Sequence, residues 1–137
     1  MTDILTKEQR SRNMAQIKSK DTKPEIFVCD ALTRMGMDYR KHYPTHGTPD
    51  LAFPEKKIAV FISGEFWHGR NFSKWRHKLS DFWLKKIGGN IRRDKRNFRL
   101  LKEEGWQVIR IWDKDLKKNP EKELKKILKV TQAAISP

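Results

Sequence analysis

The amino-acid sequence predicts a single α/β domain with helices packed on a small mixed sheet, and three observations lead to it. Ile58-Ala59-Val60-Phe61-Ile62 is an unbroken apolar run, as a strand buried on both faces requires. Trp106 to Trp112 (Trp-Gln-Val-Ile-Arg-Ile-Trp) also reads as a buried strand. Between them, apolar residues from Leu84 to Leu101 recur at helical intervals, so a long helix separates the two strands. The chain of 137 residues suits one domain spanning 1–137, without repeats or an internal linker.

The elements follow in order. Lys7 to Lys20 reads as a helix or basic arm (taken as residues 1–20), with Met14 and Ile17 on one face. Thr22 and Glu25 then make a capping box, and Pro24 suits a first helical turn. This helix should run to Met35, with Phe27, Val28, Ala31, Leu32 and Met35 inward and Gly36 as its stop. Tyr39 to Tyr43 is a strand, followed by a turn through Pro44, Gly47 and Pro49. Asp50 lies at the mouth of the next short strand, which ends at Phe53, and Pro54 to Lys57 turn the chain into the central strand. That strand breaks at Ser63-Gly64 and presents Glu65, Phe66, Trp67 and His68 before Gly69. A buried strand ending in such a cluster is where α/β folds place their sites.

Asn71 to Lys78 reads as a basic loop, after which Ser80 or Asp81 caps the long helix that ends at Gly105. Its inward stripe is Leu84, Ile87, Ile91, Phe98 and Leu101, and the member missing from it is Asp94. An inward carboxylate needs a partner or a proton. Arg93 and Arg96 point elsewhere on the helical wheel, so Asp94 is a candidate site residue. The opposite face carries Lys85, Arg92, Lys95, Arg96, Arg99 and Lys102, a ridge suited to phosphates. Asn119-Pro120-Glu121 starts a last amphipathic helix (119–137) with Leu124, Ile127 and Leu128 inward.

Composition narrows the partner. Lysine and arginine number 31 against 17 acidic residues, a net charge of +14. Such an excess points to a polyanion, because each neutralised phosphate releases counterions. A merely solvated basic surface is the bland alternative. The N-terminus has no apolar signal core and no run approaches membrane-spanning length, so no membrane partner is expected. The single Cys29 leaves no internal disulfide and no zinc site needing two thiolates, and it fits the reducing cytoplasm.

Four ordered blocks carry a resemblance: Arg10-Ser-Arg-Asn-Met-x-x-Ile-x-x-x-Asp-Thr-x-x-Glu25, Gly47-x-Pro-Asp50, Gly64-x-Phe-Trp-His68-Gly, and Phe82-Trp-Leu-x-Lys-Ile-x-x-Asn-x-x-Arg-Asp94. From about Arg10 to Leu116 the chain resembles the very short patch repair (Vsr) mismatch endonucleases, a branch of the restriction-endonuclease-like fold. The resemblance implies magnesium-dependent nicking of one DNA strand beside a T:G mismatch. By position it makes Asp50 the metal-bridging carboxylate, joined by the backbone carbonyl of Ile62. It makes His68 the general base, Asp94 the group that orients and charge-stabilises it, and Glu25 a contact to the metal-bound water. It places Met14, Ile17, Phe66, Trp67 and Trp83 where side chains wedge into the base stack, and Arg92, Arg93 and Arg96 of the basic long helix are expected as further DNA contacts. The expected partner is mismatched double-stranded DNA bound by a monomer, with repair or modification-system proteins as further partners.

Two departures qualify the resemblance. A second catalytic position usually held by His or Asp is here Ser63, which supplies no charge. A structural zinc site of three cysteines and a histidine falls on Glu65, Arg70, Phe72 and Lys114, so no structural zinc is expected. In its place Glu65 should pair with Lys114 or Arg70. A catalytically weak module that binds distorted duplex is the competing reading. A small basic RNA-associated protein is a third, though it leaves the spaced Asp50, His68 and Asp94 unexplained.

Overall fold

The computed structural model describes residues 22–135, with side chains to residue 132. The expectations for the arm, Met14 and Ile17 fall outside these residues. The chain divides into two compact units, 1–37 and 38–137.

In the first unit, helix α1 spans Lys23–Arg34, with Thr22 as its N-cap accepting the Glu25 N–H at 3.4 Å. Pro24 sits in the first turn, as expected. Gly36, at φ +74, follows the C-cap in the left-handed region. The buried face consists of Glu25, Val28, Cys29 and Leu32, whereas Phe27 and Met35 are exposed. That corrects the expected inward stripe. The 25–28–32 spacing sets the buried line, and Phe27 lies about 100° around the helix from Val28.

The second unit holds a sheet of four strands in the order β1-β2-β3-β4: β1 Arg40–Lys41, β2 Leu51–Phe53, β3 Ile58–Ser63 and β4 Gln107–Trp112. The first three are antiparallel neighbours, while β4 runs parallel to β3. Parallel pairing needs a crossover. The long helix α3, Asp81–Glu103, lies within it. The expected basic loop contains a short helix, α2 (Phe72–Trp75), and a 3-10 turn at Arg76–Lys78. Helices α4, Asp113–Lys118, and α5, Pro120–Ile135, complete the unit.

The register places functional side chains. Ala59 pairs with Val108, Phe61 with Arg110 and Ser63 with Trp112, so these six alternate residues share one face. Helix α3 covers that face: Ala59, Phe61 and Leu101 are buried together, with Phe98, Trp106 and Val108 packed around them. Ile109 and Ile111 point to the other face and are buried. Along β3 and β4 the α3 face thus changes from apolar to polar towards the C-terminal ends, at Ser63 and Arg110. Among the described residues no helix is long and apolar enough to cross a membrane.

Candidate active site

The start of β2 lies beside the end of β3, because Leu51 pairs with Val60 in antiparallel register. This brings Asp50 to the mouth of the central strand, where its Oδ2 accepts the Ile62 N–H at 2.7 Å. The two residues that the resemblance assigns to the metal are therefore in contact within the second unit, through the Ile62 N–H. A ring nitrogen of His42 also lies within 4.8 Å of an Asp50 carboxylate oxygen. His42 donates its N–H to the Asp50 carbonyl at 3.0 Å and sits at φ +49, a left-handed turn of the backbone that ends β1 at Lys41, short of the expected Tyr43. Glu25 opens α1 in the first unit, where it is buried.

After Ser63 the chain folds into successive turns: His68 N–H donates to the Gly64 carbonyl at 3.1 Å and Arg70 N–H to the Glu65 carbonyl at 3.0 Å. Helix α3 fixes this loop from the side, with Asn90 Nδ2 donating to the Trp67 carbonyl at 2.9 Å. Gly69 permits the approach. It has φ +65, and a Cβ there would lie 2.4 Å from Ile91 Cδ1 and 2.7 Å from Cγ1. Gly69→Ala should therefore destabilise the protein by about 1–3 kcal/mol through left-handed strain and crowding. Denaturant titration measures this, and an unchanged midpoint would refute the close approach.

His68, at the end of this loop, meets Asp94 one turn further along α3 from Asn90: Nδ1 lies 2.6 Å from Asp94 Oδ2. The ionised carboxylate can only accept, so His68 donates through Nδ1–H and turns Nε2 away from Asp94. Asp94 Oδ2 accepts a second bond from Arg110 Nη2. Burial by itself would raise the Asp94 carboxyl, but the bonds and charges of His68 and Arg110 outweigh it and hold Asp94 below the usual carboxylate range. The missing member of the apolar stripe thus has two partners, neither of them on α3.

Sequence reasoning missed Arg110, whose Nε also donates to Ser63 Oγ at 3.0 Å. A usable signal existed. In Trp-Gln-Val-Ile-Arg-Ile-Trp, Arg110 alternates in phase with Val108 and Trp112, so a strand covered by α3 turns a cation inward.

A second ionic group anchors the far side of the loop. Arg70 Nη1 donates to Glu65 Oε2 at 3.0 Å and to Asp115 Oδ1 at 2.9 Å, while Lys114 Nζ stands 4.0 Å from Glu65 Oε1. The expected Glu65 pairing forms, with Asp115 of α4 as an unanticipated third member. The hydrogen bond from Arg70 pulls the Asp115 carboxyl down, and burial opposes this less strongly. Arg70 also lies over the Trp112 ring, 5.2 Å from its centroid.

The aromatic residues form one cluster at the loop. Phe66 stacks on Trp75 at 5.6 Å and meets Trp67 and Trp83 edge-on at 5.9 and 5.3 Å. Trp67 is buried at 7% exposure, whereas Phe66 is 37% exposed. Of the three expected wedges that lie in the described residues, Phe66 is exposed, Trp67 is buried against it and Trp83 is half-buried. Arg92, Arg93 and Arg96 are exposed along α3.

With this geometry in place, comparisons bear on family. The family model described as DNA mismatch endonuclease Vsr matches residues 2–74. The chain is 46% identical over 125 residues to the Type II nicking enzyme V.HpaIIP of Haemophilus parainfluenzae, covering 88% of this chain and 89% of that protein. It is 35% identical over 116 residues to the DNA mismatch endonuclease Vsr of Escherichia coli strain K12, covering 82% and 74% respectively. Among solved structures, the catalytic domain of the homing endonuclease I-Bth0305I superposes with a TM-score of 0.61 at 24% identity, covering 85% of this chain and all of that one. This last likeness is one of fold.

Proposed function

Because this chain belongs to the Vsr family of DNA mismatch endonucleases, we propose that it nicks one strand of duplex DNA at a mismatched pair, with T:G as its lesion and magnesium as its metal. It is a DNA endonuclease, and DNA is its partner. The observation that supports the site assignment is the His68–Asp94 pair, linked through Arg110 to Ser63, the neighbour of the Ile62 that Asp50 contacts.

In this reading His68 Nε2 removes a proton from the attacking water, and Asp94 keeps the ring in the competent tautomer and stabilises the imidazolium that forms. The water oxygen bonds to phosphorus as the bond to the leaving oxygen breaks. Asp50 and the Ile62 carbonyl are hard oxygen donors, which fit magnesium, an ion that often uses one or two protein carboxylates. Bound there, it would neutralise phosphate charge and act as a Lewis acid. The single cysteine cannot build a thiolate zinc centre, so the Arg70 ion group ties the loop to α4 instead. The protein acts as a monomer in a reducing, DNA-containing compartment.

Phe66 is the wedge, since opening a stack costs least at a mismatch. Phe66→Ala should weaken binding to T:G duplex by about 1–3 kcal/mol, the contribution of one base–aromatic stack, and weaken perfect duplex less. Equal losses on the two duplexes in a fluorescence-anisotropy titration would remove Phe66 from mismatch recognition. The reading as a whole is tested by nicking assays on a panel of mismatched duplexes with and without magnesium. Binding to distorted duplex without nicking would favour a non-cutting DNA-binding module.

A further inference from the structure

Arg110 interrupts the apolar strand β4, and its guanidinium is shared among four neighbours. Nε donates to Ser63 Oγ at 3.0 Å, and Nη2 donates to Asp94 Oδ2, the oxygen that also accepts from His68 Nδ1. Its central carbon lies 4.4 Å from the Trp112 ring centroid and 5.0 Å from that of Phe98. Arginine can do this because its planar fork bonds in two directions while its faces take aromatic rings, whereas an ammonium is a point donor. Two hydrogen bonds and two ring contacts thus hold the cation. It also joins two parts of the site: the end of β3, at Ser63, and the His68–Asp94 pair.

We propose that Arg110 is a positioning residue of the endonuclease, holding the Asp94 carboxylate, and through it the His68 ring, in fixed relation to the end of β3. The proposal rests on the reading of His68 as the proton acceptor. Asp94 accepts both bonds through one oxygen, so its side-chain torsion is set jointly by His68 and Arg110. Without the guanidinium, the carboxylate can turn and carry the imidazole with it. Ser63 adjoins Ile62, so the cation also keeps the strand end that faces Asp50 aligned with the base.

The test uses the full chain and three variants: Arg110→Met, Arg110→Lys and Ser63→Ala. Nicking of a T:G duplex with magnesium gives kcat and KM, and NMR of the DNA-free protein gives the His68 ring-nitrogen and Nδ1–H signals. Arg110→Met should lower kcat about 10- to 100-fold, the usual cost of losing an outer orienting partner. Its KM should stay within about twofold, as for an interaction that acts on the chemical step. Its His68 signals should move, and Arg110→Lys should restore part of both effects by keeping one bond. Ser63→Ala, which leaves the Asp94 bond in place, should fall between wild type and Arg110→Met.

A wild-type kcat and unmoved His68 signals in Arg110→Met would overturn the proposal. So would a raised KM at constant kcat, which would make Arg110 a DNA contact. If Arg110→Met does not fold, Arg110→Lys decides: a variant matching wild type in kcat and in the His68 signals overturns the role. Wild-type protein that binds duplex without cutting, while its His68 signals still respond to Arg110→Met, would overturn the endonuclease reading and leave the positioning role standing.

Discussion

Asp50→Ala should abolish strand nicking, by about 1000-fold or more, while duplex binding stays within a few-fold of wild type. The magnitude follows from the several kcal/mol of charge stabilisation that a carboxylate-held divalent ion supplies to a phosphoryl transition state. The split between cutting and binding follows from geometry. Asp50 faces the end of β3 through the Ile62 N–H, whereas the exposed arginines proposed to meet phosphates lie along α3. Loss of the Asp50 bond to Ile62 also removes a partner from a backbone amide, so a melting curve should accompany the assay. A variant that nicks at the wild-type rate would show that the metal is held elsewhere.

The second large effect is at His68. Its removal in His68→Ala should cost about 100- to 10000-fold in kcat, the range for a positioned general base. Stability should change little, because the ring is 35% exposed and packs at the edge of the loop. Asp94→Asn should cost less than His68→Ala but act on the same step: an amide can present its NH₂ to Nδ1 and favour the wrong tautomer. The double variant should then be no worse than His68→Ala alone, since the two residues act as a unit. Single-turnover nicking measures all three. Fully multiplicative losses would mean that Asp94 serves something other than His68.

How far the sequence carried this picture depends on how local each signal was. Strands β2 and β3 and helix α3 were legible because periodicity, capping and glycine punctuation are written within each segment. Helix α4 was not, since Asp113 to Lys118 has a single apolar residue, Leu116, and owes its helix to packing in the second unit. The inward face of α1 was misread by one step around the wheel, because Phe27 and Met35 are apolar yet exposed. A binary pattern ranks residues by hydropathy, and here a buried carboxylate, Glu25, sets the face instead. In the site, Asp94 showed as a gap in an apolar stripe. Its second partner did not, because an arginine in a strand reads as solvent-facing until the register puts it opposite Phe61. His42 was hidden for a similar reason: a left-handed backbone residue at a strand end follows no period.

The placement of β4 also has a meaning in time. His68 and Asp94 are 26 positions apart, and Ser63 and Arg110 are 47 apart. Parallel strands meet only after the intervening chain has folded back, and the entropy of closing that loop precedes any reward from contacts across it. The catalytic set is therefore assembled late, when β4 docks on β3. A growing chain that has emerged only as far as His68 carries the base, but neither the carboxylate that sets its tautomer nor the cation that holds the carboxylate. For a DNA endonuclease, cutting power thus arrives with the finished fold.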